Sequence, residues 1–98
     1  MAAAPLNVSL DALASPVTGS SVTATGWHTP EVVDSHELKL IDDTATTEVT
    51  AAGITYTSAP PKRNFSYTFP GLVAGHAYRV RTTVTKGTEQ RSDEQGLT

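Results

Sequence analysis

The side chains able to support chemistry in this 98-residue sequence are few: His28, His36 and His76, the adjacent pair Asp42 and Asp43, and no cysteine at all. An imidazole works as a general base only beside a nucleophile that it can deprotonate, and the sequence has no G-x-S-x-G turn to offer one. It also lacks the H-E-x-x-H pair that places two zinc ligands on one helix face and the G-x-x-x-x-G-K-[ST] loop that cradles phosphate. The three histidines fall in or beside three separate predicted loops, so each reads as a surface residue. A zinc site needs several converging ligands, and calcium needs an oxygen-rich loop turned by glycine, which the Asp42–Asp43 pair does not have. The expectation is a protein that is not an enzyme and carries no cofactor or metal. The triplets Asn7-Val8-Ser9 and Asn64-Phe65-Ser66 have the form of glycosylation acceptors, but a quarter of the chain is Ser or Thr and such triplets arise readily by chance.

Composition narrows the partners. The formal charge is −3, and the seven Lys and Arg are scattered along the chain, so no phosphate-binding stripe is expected and nucleic acid is not the predicted partner. No apolar run approaches the ~20 residues of a membrane helix, and the opening MAAAPLNVSL lacks the basic and apolar regions of a signal peptide. Neither membrane insertion nor export is therefore expected. Without disulfides or metal, stability must come from packing, and a chain of this length buries roughly 60–70% of its unfolded surface.

Any site would have to be positioned by short strands. Sixteen threonines and the absence of long apolar patterns at helical spacing favour a pleated, half-exposed architecture. PLNVSLDAL (5–13) places Leu6, Val8 and Leu10 on one face. After a turn around Pro16 and Gly19, Val22, Ala24 and Gly26 resume the alternation. Trp27 is out of phase by one, and a β-bulge at Gly26 would turn its indole inward. A loop around Pro30 leads to HELKLIDD (36–43), with Leu38 and Leu40 inward. Residues 44–59 alternate weakly around Val49, Ile54 and Tyr56, as one or two short edge strands would. PPKRN (60–64) reads as a turn, and FSYTF then aligns Phe65, Tyr67 and Phe69 on one face. YRVRTTVT (78–85) is a further strand with Val80 and Val84 inward, whereas EQRSDEQGLT (89–98) is almost wholly polar, with only Leu97 to anchor it. Short strands punctuated by turns predict an all-β, two-sheet antiparallel sandwich of about seven strands, with an arm at residues 1–5 and a single domain over 6–98.

The stretch LVAGHAY (72–78) has the form of a sandwich corner. Leu72 would plug the core, Gly75 would permit the tight backbone turn, and Tyr78 would bury its ring while its hydroxyl meets an upstream backbone group. Here FSYTFPGLVAGHAYRVRTTV resembles the fibronectin type III family, whose L-x-P-G-x-x-Y corner it matches at Leu72, Gly75 and Tyr78, with Ala74 in place of the usual proline. The resemblance spans residues 6–88 and implies that Trp27 is the family's core tryptophan, with Leu38 and Leu40 on the third strand. Immunoglobulin-like sandwiches share the corner. Truncating Tyr78 or a buried Trp27 to Ala is then expected to destabilise by about 3–5 kcal/mol.

The expected function is that of a non-catalytic structural or interaction module docking on a larger assembly. Single sandwiches of this kind look like the decorating or tail-associated proteins of bacteriophage particles, which implies a capsid or tail protein as partner, a cell-surface glycan as a further one, and a virion location after assembly in the host cytoplasm. The alternative is an extracellular spacer or binding module from a secreted carbohydrate-active enzyme or adhesin. Arg79 and Arg81, outward on one strand, offer a contact patch for an acidic partner, and the polar last segment reads either as an open sheet edge offered to a neighbouring chain or as a short charged edge strand that discourages aggregation.

Overall fold

The computed structural model describes residues 5–13 and 21–97; the rest of the expected arm and the turn around Pro16 and Gly19 lie outside them. Period-2 alternation organises eight strands: β1 (Asn7–Leu10), β2 (Ser21–Thr29), β3 (Ser35–Asp42), β4 (Thr47–Thr50), β5 (Thr55–Ala59), β6 (Lys62–Pro70), β7 (Tyr78–Lys86) and β8 (Glu89–Leu97). They form two four-stranded antiparallel sheets, sheet A in the order β1-β2-β6-β5 and sheet B in the order β4-β3-β7-β8. The weakly patterned segment supplies two edge strands, β5 on sheet A and β4 on sheet B. The result is an all-β sandwich of a shape compatible with immunoglobulin-like and fibronectin type III-like domains.

The core is built from the inward residues of both sheets. Val8, Leu10, Val22, Ala24, Phe65 and Phe69 from sheet A meet Leu38, Leu40, Tyr78, Val80 and Val84 from sheet B, with Leu6, Leu72 and Leu97 closing the ends. Tyr67 is half-buried against this cluster, its ring edge-on to Phe69 at 4.8 Å. Leu72 and Tyr78 are buried at the corner, the Tyr78 hydroxyl accepts the Val73 N–H at 2.7 Å, and Gly75 turns with φ +90°. That left-handed conformation is open to glycine without the steric penalty of a Cβ.

Trp27 departs from the expectation. The β2–β6 register runs without interruption from Ser21↔Pro70 to His28↔Arg63, so there is no bulge at Gly26. The strand keeps its phase, His28 points inward and is fully buried, and Trp27 lies half-buried on the outer face of sheet A. Gly26 serves a different purpose. A Cβ there would stand 2.7 Å from Phe65 Cζ and 2.2 Å from the Ser9 carbonyl, so the missing side chain is the space that Phe65 and β1 occupy. The expected inward tryptophan is thus replaced by a glycine and a phenylalanine from the neighbouring strand.

The polar last segment is a full strand. β8 pairs along its whole length with β7, from Tyr78↔Leu97 to Lys86↔Glu89, as an edge strand of sheet B, so the segment is the charged edge strand and leaves no vacant strand position beside β7. Its edge is also tied to the other sheet: Asp93 Oδ2 accepts the Leu10 N–H at 2.7 Å, and Gln95 Nε2 donates to the Leu10 carbonyl at 3.2 Å. PPKRN likewise is more strand than turn, because β6 begins at Lys62.

Candidate functional site

β2, β6 and β5 lie side by side, and their alternating residues put one set of side chains outside and another between the sheets. Outside, cross-strand register aligns Ser9, Trp27, Asn64 and Thr57 in one row and Thr25, Ser66 and Thr55 in the next. Asp11 closes the end of this patch: its N–H donates to the Thr25 carbonyl and its Oδ2 accepts from the Thr25 hydroxyl, both at 2.9 Å. Lys62 holds its ammonium 4.1 Å from the centroid of the Trp27 ring, a cation–π contact that fixes the indole. Asp11, Thr25, Trp27, Thr55, Thr57, Asn64 and Ser66 line a depression of about 380 Å³, floored by Gly26 and Phe65.

Beneath it, on the inner side of the same strands, sits a polar cluster that sequence reasoning missed. His28 and His36 are 5.3 Å apart between ring centroids, one on β2 and the other on β3, although the sequence placed them in unconnected loops. The His28 tautomer is set from both sides. Its Nδ1–H donates to the Pro30 carbonyl at 2.9 Å, and its Nε2 accepts from Arg63 Nε at 2.9 Å. The Arg63 guanidinium lies over the Tyr56 ring at 3.8 Å. Tyr56 OH and Thr82 Oγ1 hydrogen-bond the two nitrogens of His36, at 2.8 and 2.6 Å. Phe65 packs against the His36 ring at 4.6 Å. This is how a sandwich tolerates histidines inside: among the described residues, no buried side-chain polar atom lacks a partner.

The electrostatics favour neutral rings. Burial, reinforced by the neighbouring His28 and Arg63, pushes His36 down to about 4. His28 is lowered chiefly by burial, against the pull of its Pro30 hydrogen bond and with help from Arg63. Burial raises the Tyr56 hydroxyl above its ordinary value, and the Arg63 charge opposes this. The His36–Thr82 pair has the geometry of a base and a hydroxyl, but Thr82 is fully buried and no carboxylate orients the ring, so the contact fastens β3 to β7 out of reach of a substrate. Among the described residues, no group of three His, Cys, Asp or Glu converges as metal ligands would.

The other polar groups are absorbed by the scaffold. At the corner, burial acts to raise the Asp42 carboxyl, but a 2.9 Å hydrogen bond with His76 and bonds from the Ala45 and Thr44 N–H groups outweigh it and hold the carboxyl low. Arg79 and Arg81 do point outward on sheet B, yet not as an unpaired patch. Arg79 grips Asp43 at 2.8 Å and reaches Glu94 at 3.3 Å, while Arg81 meets Glu94 at 2.9 Å. Hydrogen bonding to Arg79 holds the Asp43 carboxyl below the usual range. The acidic partner expected for these arginines is already supplied by this chain.

The period-2 rule would have placed His28 inward had the strand been read without a bulge. The approach of His36, Tyr56 and Arg63 depends on how two sheets face each other and has no local signal. Compared with known protein families and with curated proteins, the chain matches none.

Proposed function

We propose that this protein is a non-catalytic interaction module that docks on a larger assembly through the outer face of sheet A. The observation carrying this reading is Trp27: a large aromatic side chain that strand register places on the outer face of sheet A, partly exposed instead of packed in the core. Aromatic anchors of this kind dominate binding surfaces because they combine apolar area with little conformational freedom to lose. The imidazoles of His28 and His36 are engaged inside, and Arg79 and Arg81 are engaged with carboxylates, which leaves the Trp27 face as the distinctive surface.

The subtype proposed is fibronectin type III-like within the immunoglobulin-like sandwiches. Support comes from the Leu72, Gly75 and Tyr78 corner, and from a strand order matching the four-and-three arrangement of immunoglobulin constant domains with β4 added to the second sheet. The setting proposed is a virion, with the protein decorating a capsid or attached to a tail. Pelleting with purified particles tests this. The wild type and an Arg81→Ala variant are expected to be retained, and Trp27→Ala to be lost to the supernatant; equal retention of all three overturns the reading. The second reading is a binding module of a secreted carbohydrate-active enzyme or adhesin, and the hydroxyl-rich lining of the depression favours it.

A further inference from the structure

We infer that the depression beside Trp27 is a binding site for a neutral saccharide. The inference rests on the docking role proposed above for the same face, and gives that face a ligand class. A sugar ring presents C–H groups on its faces and hydroxyls around its rim, so its site needs one apolar plate bordered by groups that both donate and accept. Trp27 supplies the plate. The Asn64 carboxamide supplies two donors and an acceptor, the Thr55 and Thr57 hydroxyls serve as either, and the Thr25 hydroxyl, whose O–H is given to Asp11, accepts, with the Asp11 carboxylate as a further acceptor. The volume, about 380 Å³, falls in the range of roughly 300–1,000 Å³ typical of small-molecule sites.

Other ligand classes fit less well. A phosphate or carboxylate ligand would face Asp11 on a chain of net charge −3, and the nearby cation, Lys62, lies over the indole without joining the lining. A protein hot spot gathers further aromatic, Met or Arg side chains and is poor in Ser and Thr, whereas this depression surrounds the indole with hydroxyls. Asp11 is the lone carboxylate of the lining, so the acid and base pair that glycosidic cleavage requires is missing and the sugar is held without being cut. The backbones of β2, β6 and β5 are held in register before the ligand arrives, which limits the entropy lost on binding.

Trp27 is the one tryptophan in the chain, so its emission reports directly on the site. The test titrates the full chain with neutral gluco-, manno-, xylo- and chito-oligosaccharides, following emission, and then measures variants by calorimetry. At least one series is expected to shift emission saturably, with Kd raised about tenfold or more by Trp27→Ala and by Asn64→Ala, and unchanged by Thr83→Ala on the opposite sheet. Circular dichroism checks that each variant is folded. If no saccharide binds while Trp27→Ala still abolishes retention on particles, the sugar inference is overturned and the docking face stands, with a protein as its partner. If Trp27→Ala alters neither, both fall.

Discussion

Acid should weaken this sandwich at one identifiable place, the His36 imidazole. The ring is faced by His28 from β2, Tyr56 from β5, Arg63 and Phe65 from β6 and Thr82 from β7, and the two nearest ionisable neighbours are the basic groups His28 and Arg63. In the unfolded chain His36 takes up a proton near pH 6.5, whereas in the fold it does so only near 4. Between those values the unfolded chain binds more protons, so the contribution is complete above pH 6.5 and is lost as pH falls towards 4. Each pH unit of that interval is worth about 1.36 kcal/mol, which bounds the loss at about 3 kcal/mol. Partial exposure of the ring reduces the expectation to about 2 kcal/mol. His28, lowered in the same direction, adds to the trend. Urea unfolding followed by far-UV circular dichroism between pH 7.5 and 4.5 measures it. His36→Gln removes the titration while keeping an amide to meet Tyr56 or Thr82. The variant should be less stable than wild type at pH 7.5 but flatter with pH, by about 2 kcal/mol over the interval. A wild type whose stability is level across that range, or a variant with the wild-type slope, refutes the reasoning.

Two further outcomes follow from the packing. Gly26→Ala drives a methyl group into the Ser9 carbonyl and the Phe65 ring, and is expected to destabilise by about 1–3 kcal/mol or more, seen as a lower urea midpoint. An unchanged midpoint would mean that β1 is not held where it is described. Tyr78→Phe deletes the acceptor for the Val73 N–H and should remove about 1–2 kcal/mol, lowering the Tm by several degrees in a calorimetric scan. A Tm equal to that of the wild type counts against the corner.

Much of the architecture was legible because strands write their faces into the chain with a period of two. Leu38 and Leu40 on β3, Phe65 and Phe69 on β6, and Val80 and Val84 on β7 are read inward from alternation alone, and all are buried. Leu72, Gly75 and Tyr78 are legible for another reason: a corner needs a plug, a left-handed turn and a hydroxyl at fixed spacing. Trp27 reads as inward only if its phase slip is taken for a β-bulge at Gly26, a reading that the family resemblance then reinforces. Simple alternation gives the observed placement, with His28 inside. The polar residues of β8 could be misread as an unanchored tail because an edge strand exposes most of its side chains and is held by backbone bonds, which leave little trace in composition.

The sequence by itself determined the strand-forming character of the chain, the inward faces of its central strands and the tyrosine corner, since all three depend on neighbours a few residues apart. Only the tertiary structure decided which strands become edges, that Arg79 and Arg81 are neutralised by Asp43 and Glu94, and that His28, His36, Tyr56, Arg63 and Thr82 meet between the sheets. Those contacts join residues up to 46 positions apart. Their partners are chosen by how one sheet lies against the other, and that choice is made by the packing of the whole core.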